Sequence, residues 1–220
     1  MIPVSIDQAL KKVNPNLMLG IVQASVVVQR HSPALWREIE VAIGRLLKRY
    51  TLETIGRVSA IETVKETYRR LGKDPSRYRG SAEALARRVL QGKGLYRVNN
   101  VVDINNLVSL ETLHPVGSYD LGNLQPPLVF GVGKKGQSFK GIGKEMVNIE
   151  DLPVFIDSLG PYGSPTSDSE RAMITDQTKN ILMVIISFTG QEGIENAVQR
   201  AALLLEKYAH GQITDMELIT

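Results

Sequence analysis

The feature that most constrains the fold is a segment with a helical period that is apolar on nearly every side yet carries a line of polar side chains. Asn99, Asp103 and Asn106 are spaced i, i+4 and i+7, which places them on one narrow stripe of a helix. The residues around this stripe are aliphatic: Val98, Val101, Val102, Ile104, Leu107 and Val108. A helix this apolar is predicted to be buried, so its polar stripe needs partners from the backbone, from water or from a bound molecule.

The remaining patterns predict a chain in which helices and short strands are mixed. Amphipathic periods and stop signals predict helices at 33–49, 57–71, 81–91 and 193–210. Apolar runs and turn signals predict strands at 17–29, 128–132, 138–140, 154–157 and 181–188. Ser32 and Ser81 are expected to be N-caps, and Gly20 is expected to kink the first strand. Because no repeat or low-complexity linker divides the chain, we expect residues 1–220 to form a single α+β domain, with helices beside a mixed or antiparallel sheet.

Three glycines, at 131, 133 and 136, formally match the dinucleotide-binding fingerprint. That fingerprint requires a helix directly after the glycines, whereas residues 137–140 have the pattern of a returning strand. We therefore interpret the glycines as the bend of a hairpin and expect no cofactor. The three histidines, at 31, 114 and 210, form no cluster with metal-ligand spacing, so no metal site is expected either.

Composition excludes several classes of protein and of chemistry. The chain contains no cysteine, which removes disulfides and thiolate nucleophiles and fits a reducing compartment. Its first residues lack the pattern of a signal peptide, and its apolar runs are far shorter than the ~20 residues of a membrane helix. We expect a cytoplasmic protein that does not associate with membranes.

Positive charge is concentrated in one part of the chain. Residues 57–97 contain eleven Lys and Arg against four acidic residues, a local charge of +7, although the whole chain carries only +3. Such a segment is typical of a surface that binds a polyanion. It is equally compatible with a pair of helices whose basic faces are simply solvated.

The loop that follows Gly160 is a second candidate for a site. Ser167-x-x-Glu170 has the form of a capping box, so these residues are compatible with the mere start of a helical turn. Alternatively, Thr166, Asp168, Ser169 and Arg171 line a pocket against the polar stripe, since functional side chains often lie on loops. His114, just before Pro115 at the end of the apolar helix, is a further candidate.

Three stretches carry a resemblance to a known family. Residues 99–111 read Asn-x-Val-Val-Asp-Ile-x-Asn-x-Val-x-x-Glu, and Pro115 and Tyr119-Asp120 follow. This pattern resembles the editing domain in the beta chain of phenylalanyl-tRNA synthetase. Residues 72–85 and 163–171 resemble more narrowly the free-standing, single-domain relatives of that module. The resemblance implies a three-layer α+β domain with a sandwich-like sheet core, and a reaction in which water removes a wrongly attached amino acid from tRNA. Aminoacylation itself is not expected.

The resemblance leads to a first hypothesis, a tRNA-binding domain that hydrolyses misacylated tRNA in trans. In this hypothesis Asn105, Asn106 and His114 orient the water and the acyl group, and Asp168 binds the α-ammonium group. Further substrate contacts are assigned to Asn99, Asp103, Thr166, Ser169 and Arg171. Contacts to the nucleic acid are assigned to six cations: Arg69, Arg70, Arg77, Arg79, Arg87 and Arg88.

Two positions depart from the pattern of the family. A histidine that helps at the ester in the synthetase module corresponds to Gly117, and a glutamate that recognises the hydroxyl of tyrosine corresponds to Val184. An apolar residue there leaves a buried phenol unpaired, so we expect a small or aliphatic aminoacyl group rather than tyrosine. The departures keep two alternatives open: a non-catalytic module that binds tRNA or a free amino acid, and a small-molecule enzyme. The expected partner is tRNA or aminoacyl-tRNA and not DNA, and the oligomeric state stays open.

Overall fold

The structure is a computed structural model that describes residues 2–220 and has three layers. Its helices are α1 Gln8–Val13, α2 Pro33–Arg49, α3 Ser59–Arg70, α4 Ser81–Leu90, α5 Asn100–Thr112 and α6 Ile194–Ala209. Its strands are β1 Val4–Ile6, β2 Met18–Ser25, β3 Val116–Asp120, β4 Leu128–Val132, β5 Ser138–Lys140, β6 Met146–Asn148, β7 Pro153–Asp157, β8 Gly160–Gly163, β9 Asn180–Ser187 and β10 Gln212–Ile219. The predicted α+β class, with a sandwich-like mixed and antiparallel sheet core and flanking helices, is confirmed.

Two four-stranded sheets stack to form the sandwich. The central sheet is antiparallel and has the order β10-β2-β9-β3. The outer sheet has the order β1-β4-β7-β8 and is mixed, because β1 runs parallel to β4. Helices α2, α5 and α6 cover one face of the central sheet, and the outer sheet covers the other. Strands β5 and β6 form a separate hairpin.

Strand β9 shows why its sequence is a continuous apolar run. Alternate residues of a strand point to opposite faces, so a strand covered on both sides needs apolar residues at every position. Ile181, Met183 and Ile185 pack in the core on the helix side. Leu182, Val184 and Ile186 pack in the core between the two sheets.

Helix α5 lies in the middle of the helix layer. It packs against α2, α4, α6 and β3, and most of its aliphatic side chains are buried, as the sequence predicts. Two of the predicted positions differ, because Val102 is half-buried and Val98, which precedes the helix, is exposed. It ends at Leu113, whose left-handed backbone (φ 59°) turns the chain towards Pro115 and β3. The buried helix therefore fixes the position of β3, the edge strand of the central sheet.

An aromatic cluster fills the space between the two sheets. It consists of Tyr119, Phe130, Phe155 and Tyr162, and all four side chains are buried. The ring centroids of Tyr119 and Tyr162 are 4.9 Å apart in an edge-to-face arrangement, and those of Phe130 and Phe155 are 4.3 Å apart and stacked. Such packing stabilises the sandwich and leaves little free volume inside it.

Two expectations about local geometry are wrong. Gly20 does not kink β2, because the pairing of β2 with β9 runs through it without a register shift. A Cβ atom at Gly20 would overlap a methyl group of Val198, so the glycine allows α6 to approach the sheet closely. Ser81 is the first helical residue of α4, and Gly80 is its N-cap, whereas Ser32 caps α2 as expected by accepting a hydrogen bond from the Leu35 amide at 3.4 Å.

The glycine-rich segment after β4 is followed by a strand, as predicted, and not by a helix. The expected hairpin is wrong in its pairing, however, because β4 pairs with β7 and β1, while β5 pairs with β6. None of the helices within residues 2–220 is long and apolar enough to cross a lipid bilayer.

The aromatic cluster predicts a stability effect at Gly117. A Cβ atom there would overlap the Tyr119 hydroxyl and lie 2.7 Å from Cζ of that ring, and the ring is enclosed by the core. We expect Gly117→Ala to lower the free energy of unfolding by about 1–3 kcal/mol through overpacking. In the control, Gly44→Ala in α2, an added Cβ meets nothing within 4 Å, so this change should stabilise by about 0.5–1 kcal/mol. Urea denaturation of both variants measures this, and equal effects would contradict it.

Candidate functional site

The polar groups at the start of α5 are bonded to the protein itself. Asn99 is the N-cap, and its side-chain oxygen accepts a hydrogen bond from the Val102 amide at 2.9 Å. The Asp103 carboxylate accepts hydrogen bonds from the Trp36 indole at 2.7 Å and from the Val98 amide at 3.2 Å. Burial raises the pKa of Asp103 despite these two bonds. Asn99 and Asp103 thus stabilise the helix and its contact with α2.

Asn100, which the sequence analysis did not single out, is the most deeply bonded of these residues. Its side-chain oxygen accepts a hydrogen bond from the Gln29 amide at 2.8 Å, and its amide nitrogen donates to the carbonyls of Val27 and Tyr208, both at 2.9 Å. These bonds tie α5 to the segment after β2 and to the end of α6. The neighbouring residues Val101 and Val102 are aliphatic, so the sequence pattern does not indicate that Asn100 makes these long-range bonds.

Two of the predicted catalytic residues lie in the middle of α5, and the third follows its last turn. The Asn105 oxygen accepts a hydrogen bond from the Ser118 hydroxyl of β3 at 3.0 Å, and Asn106 is partly exposed. His114 is only 6% exposed, its Nδ1 has no hydrogen-bond partner in the structure, and burial lowers its pKa to about 4. The imidazole is therefore neutral at neutral pH.

Residues 163–169, here called the polar loop, hold two buried hydroxyl contacts. The Asp168 carboxylate accepts a hydrogen bond from the Tyr119 hydroxyl at 2.9 Å, and the hydroxyls of Thr166 and Tyr68 are 2.8 Å apart. Burial raises the pKa of Asp168 to about 6, while the bond from Tyr119 acts in the opposite direction. A carboxyl group with this pKa is mostly ionised at neutral pH but is ready to take up a proton.

Ser164 shapes the polar loop. Its hydroxyl donates to the Ser167 carbonyl at 2.8 Å and accepts from the amides of Thr166 and Ser167 at 3.2 and 3.0 Å. The loop also docks on the start of α4, where the Ser81 amide donates to the Pro165 carbonyl at 2.7 Å. These bonds hold the polar loop against α3 and α4.

Ser169 and Arg171 have structural contacts. Ser169, and not Ser167, caps the short turn Glu170–Ala172 by accepting from the Arg171 amide at 3.2 Å. The Arg171 guanidinium forms a bidentate pair with Asp157 at 2.8 and 2.9 Å and also donates to two backbone carbonyls. Its donors are thus directed at the protein.

The structure does not bring the polar stripe and the polar loop into one pocket. Ser118 and Tyr119 are neighbours in β3, so their side chains point to opposite faces of the central sheet. In the helix layer, Asp103 of the stripe bonds Trp36 of α2 and Asn105 bonds Ser118, whereas Tyr119 bonds Asp168 on the side of the outer sheet. The expected pocket between stripe and loop is therefore wrong, and two separate polar clusters replace it.

A narrow slot lies beside the polar loop, between α3, the start of α4 and the end of α5. Its volume is about 10 Å³, and its lining includes Tyr68, Tyr78, Gly80, Leu113 and Pro115. A cavity of this size holds about one water molecule. Because Tyr68 also bonds Thr166, the slot and the polar loop share a wall.

Cationic side chains surround a buried carboxylate at the rim of the slot. Glu83 is 5% exposed, and its Oε1 lies 2.7 Å from Arg87, 3.7 Å from Lys65 and 4.0 Å from Arg79. We call these four residues the cationic rim, which carries an excess of two positive charges. The i, i+4 spacing of Glu83 with Arg87 was visible in the sequence, but the contribution of Lys65 needs the fold.

The other predicted cations differ in how much of their charge is neutralised. Arg69 pairs with Glu62 at 3.3 Å, Arg70 donates to the Val13 carbonyl at 3.1 Å, and Arg77 is exposed. Arg88 lies over the ring of Tyr96. The six cations therefore do not form one continuous patch of free charge.

The two positions that depart from the resemblance are direct neighbours. Gly117 of β3 pairs with Val184 of β9, and both lie on the face of the central sheet that meets the outer sheet. The Tyr119 ring lies over Gly117 and also reaches Gly163 of β8. Tyr119, with its bond to Asp168, thus fills the space in front of both positions, which sequence reasoning did not predict.

The hairpin of β5 and β6 lies against the polar loop. The Ile142 amide donates to the Asp168 carbonyl at 3.0 Å, and the Lys144 ammonium donates to the Ser167 hydroxyl at 2.7 Å. Four lysines occur between residues 134 and 144 and form a second basic segment, which the sequence analysis does not predict. Within residues 2–220 no group of three or more His, Cys, Asp or Glu side chains is arranged to hold a metal ion.

Comparison with known proteins identifies the family of this α+β domain. Residues 63–210 match the family model described as B3/4 domain, and the chain belongs to this family. It is 31% identical over 97 residues to the phenylalanine–tRNA ligase beta subunit of Symbiobacterium thermophilum and 27% identical over 103 residues to that of Fusobacterium nucleatum subsp. nucleatum. These matches span 43% and 46% of this chain but only 11% and 13% of those subunits.

The fold is also similar to that of a solved structure. A crystal structure of an N-terminal fragment of the phenylalanyl-tRNA synthetase beta subunit from Pyrococcus horikoshii aligns with a TM-score of 0.51 and 18% identity. The alignment covers 96% of this chain and 50% of that fragment. At this identity the similarity concerns the fold alone.

The bonds of Asp103 predict a structural effect. Asp103→Ala leaves the Trp36 indole and the Val98 amide without an acceptor in a buried place, so we expect a loss of about 2–4 kcal/mol in the free energy of unfolding. Asn106→Ala, one turn along the same helix and partly exposed, is the matched control and should change stability by less than about 1 kcal/mol. Guanidinium denaturation compares the two, and a neutral Asp103→Ala would contradict the structural role.

The pKa of Asp168 predicts a pH dependence with a definite sign. The pKa of the Asp168 carboxyl group is about 6 in the folded chain, whereas its ordinary value is 3.8. The folded state therefore favours the protonated carboxyl group, which contributes fully to stability below pH 3.8. This contribution is lost as the pH rises through 6. Asp168→Asn does not titrate. Relative to wild type, its free energy of unfolding should therefore increase by roughly 2 kcal/mol between about pH 4 and pH 7.

Urea denaturation across this pH range measures the difference. Tyr119→Phe is the second arm, because it removes the hydrogen bond that lowers the pKa of Asp168 and should move the transition to higher pH. Parallel pH profiles for wild type and Asp168→Asn would show that the carboxyl group has an ordinary pKa.

Proposed function

We propose that this chain binds the acceptor end of aminoacyl-tRNA and hydrolyses misacylated tRNA in trans. The observation that carries the proposal is that the polar loop, the slot and the cationic rim adjoin one another. Thr166 bonds Tyr68, which lines the slot, while Lys65 and Glu83 belong to both the slot and the rim. Membership of the B3/4 family supports the choice of tRNA, because the curated relatives are named as tRNA ligase subunits.

The cationic rim supports binding of a nucleic acid. The three cations of the rim share the Glu83 carboxylate, and Lys65 also pairs with Glu62 at 3.6 Å. The exposed Arg77 lies in the segment between α3 and α4. An excess of positive charge attracts the phosphates of the acceptor end and releases their counterions. A strand held at the rim then brings its terminal ester to the polar loop.

The polar loop and the slot supply groups that suit ester hydrolysis. The ionised Asp168 carboxylate attracts the α-ammonium group of the amino acid, as the sequence leads us to expect. The hydroxyls of Tyr68 and Thr166 are able to donate hydrogen bonds to the developing oxyanion, and the slot has room for one water molecule. Positioning of this kind accelerates hydrolysis without a catalytic triad.

The filled interior limits the size of the acyl group. Tyr119 occupies the space in front of Gly117 and Val184, so an aromatic acyl group has no room between the sheets. The substrate we propose is therefore a tRNA that carries a small or aliphatic amino acid. Asn105 contacts Ser118 on the helix side of β3, away from the polar loop, and is not a catalytic residue in this proposal.

A panel of misacylated tRNAs tests the proposal. We expect the chain to release small and aliphatic amino acids at least tenfold faster than buffer does, and to release phenylalanine and tyrosine no faster. Thr166→Val should lower kcat by about 10- to 100-fold, because it removes a hydroxyl from the polar loop. Thr63→Val in α3, which removes a hydroxyl bonded to the Ser59 carbonyl on the exposed side of that helix, is the matched control and should keep full activity.

A non-catalytic tRNA-binding module is the second candidate. The observation that favours it is the separation of Asn105 from Asp168 by β3, since groups on opposite faces of a sheet do not act on one ester. This candidate predicts salt-dependent tRNA binding that weakens in Arg79→Ala and shows no release from any member of the panel. Release of one amino acid would exclude it, and absence of both release and binding would contradict both candidates.

A further inference from the structure

An exposed aromatic ring and an arginine stack on each other after α4. The Arg88 guanidinium lies 3.7 Å from the ring centroid of Tyr96, and Tyr96 is 65% exposed. A tyrosine this exposed is not needed for the core, and one face of its ring is covered by the arginine. We call these two residues the Arg–Tyr platform. It lies outside the slot and the cationic rim.

Most of the positive charge around the platform has no ion-pair partner in the part of the chain that the structure describes. Burial raises the pKa of the nearby Asp103 carboxyl group, and the charge of Arg97 acts on that pKa in the opposite direction. Residues 84–102 contain four cations and no acidic residue. Within the described residues 2–220, Arg88, Lys93 and Arg97 take part in no ion pair, and the Arg88 Nε has no hydrogen-bond partner. Arg87, by contrast, is paired with Glu83. Arg97 lies over the indole of Trp36, 4.4 Å from its centroid, which extends the stacked arrangement to a second aromatic side chain.

Unpaired nucleic acid is the ligand whose chemistry matches this surface. A base is a flat ring that stacks on tyrosine and arginine, and its phosphates pair with lysine and arginine next to the ring. An acidic peptide would use the cations but would leave the exposed ring without a function. A duplex would also use the cations, but its bases are stacked on each other and are not free to cover Tyr96.

We propose that the Arg–Tyr platform binds an unpaired nucleotide of RNA, with its base on Tyr96 and its phosphates at Lys93 and Arg97. The inference rests on the proposed function for the identity of the RNA, which is then the single-stranded end of tRNA. Glu83 of the rim and Arg88 are five residues apart on α4, or about 7.5 Å along its axis. Arg88 of the platform and Glu83 of the rim thus lie on the same helix, and in this proposal one strand contacts both.

Binding of a short, unstructured RNA to the full chain tests the platform. Tyr96→Ala should weaken binding about tenfold, as loss of one base–aromatic stack does, while Tyr96→Phe keeps the ring and should bind like wild type. Tyr50→Ala is the matched control, because Tyr50 also lies under an arginine, Arg49 at 5.3 Å, but outside the basic segment. Fluorescence anisotropy of labelled RNA measures the affinities, and circular dichroism verifies that each variant is folded.

Salt dependence separates the ring from the charges. Tyr96→Ala should leave the slope of log K against log salt unchanged, since a neutral ring releases no counterions, whereas Lys93→Ala should reduce the slope by about 0.7. The single tryptophan of the chain gives a direct signal, because RNA phosphates at Arg97 alter the surroundings of Trp36.

The outcomes separate this inference from the proposed function. Wild-type affinity in Tyr96→Ala would overturn the platform, even if misacylated tRNA is hydrolysed. Equal, Tyr96-dependent binding of poly-glutamate or of duplex RNA would also overturn it. Tyr96-dependent binding of single-stranded RNA without release of any amino acid would support the platform and contradict the hydrolytic function.

Discussion

The first turn of α5 is polar and buried, and the protein satisfies its polar groups with its own donors and acceptors. Asn100 bonds the segments that follow β2 and α6, and Asp103 bonds Trp36 of α2. A buried polar group without a hydrogen-bond partner here would lower the free energy of unfolding by about as much as several favourable contacts contribute to it. These bonds therefore set the position of α5, and through Leu113 and Pro115 they set the position of β3. The polar loop, Tyr119 and the slot all depend on that strand.

Strand β3 separates the two polar clusters, one on each face of the central sheet. Its residues alternate between the helix layer and the interior of the sandwich, so adjacent polar residues serve different clusters. Glycine at 117 removes a side chain on the inner face, and the Tyr119 ring occupies the space that this creates. Aromatic side chains therefore fill the space between the two sheets. The slot of about 10 Å³ lies outside this interior, between α3, the start of α4 and the end of α5.

Local patterns in the sequence predict those parts of the fold in which one interaction dominates. The bounds of α2 and β4 follow from an N-cap, a helical period and a short apolar run, and the burial of α5 follows from its composition. Strands β3 and β10 were not predicted, because glycine, serine and acidic residues interrupt their apolar alternation. The polar stripe was open to misinterpretation, since asparagine and aspartate at a helix start serve equally as caps and as ligands. Asp168 was found from its loop, but its bond to Tyr119 joins residues 49 positions apart and has no local signal.

The basic segment, finally, does not act as a single surface. Around Glu83 the cations are held in a fixed arrangement by a buried carboxylate, which limits their free charge but defines their positions. Around Tyr96, Arg88 and Arg97 form no ion pair within residues 2–220 and stack on aromatic rings instead. Fixed charges are suited to positioning a strand, and unpaired guanidinium groups beside exposed rings are suited to contacts with bases. The net charge of the segment alone gives no hint of this division, which arises because α4 presents Arg87 and Arg88 to different neighbours.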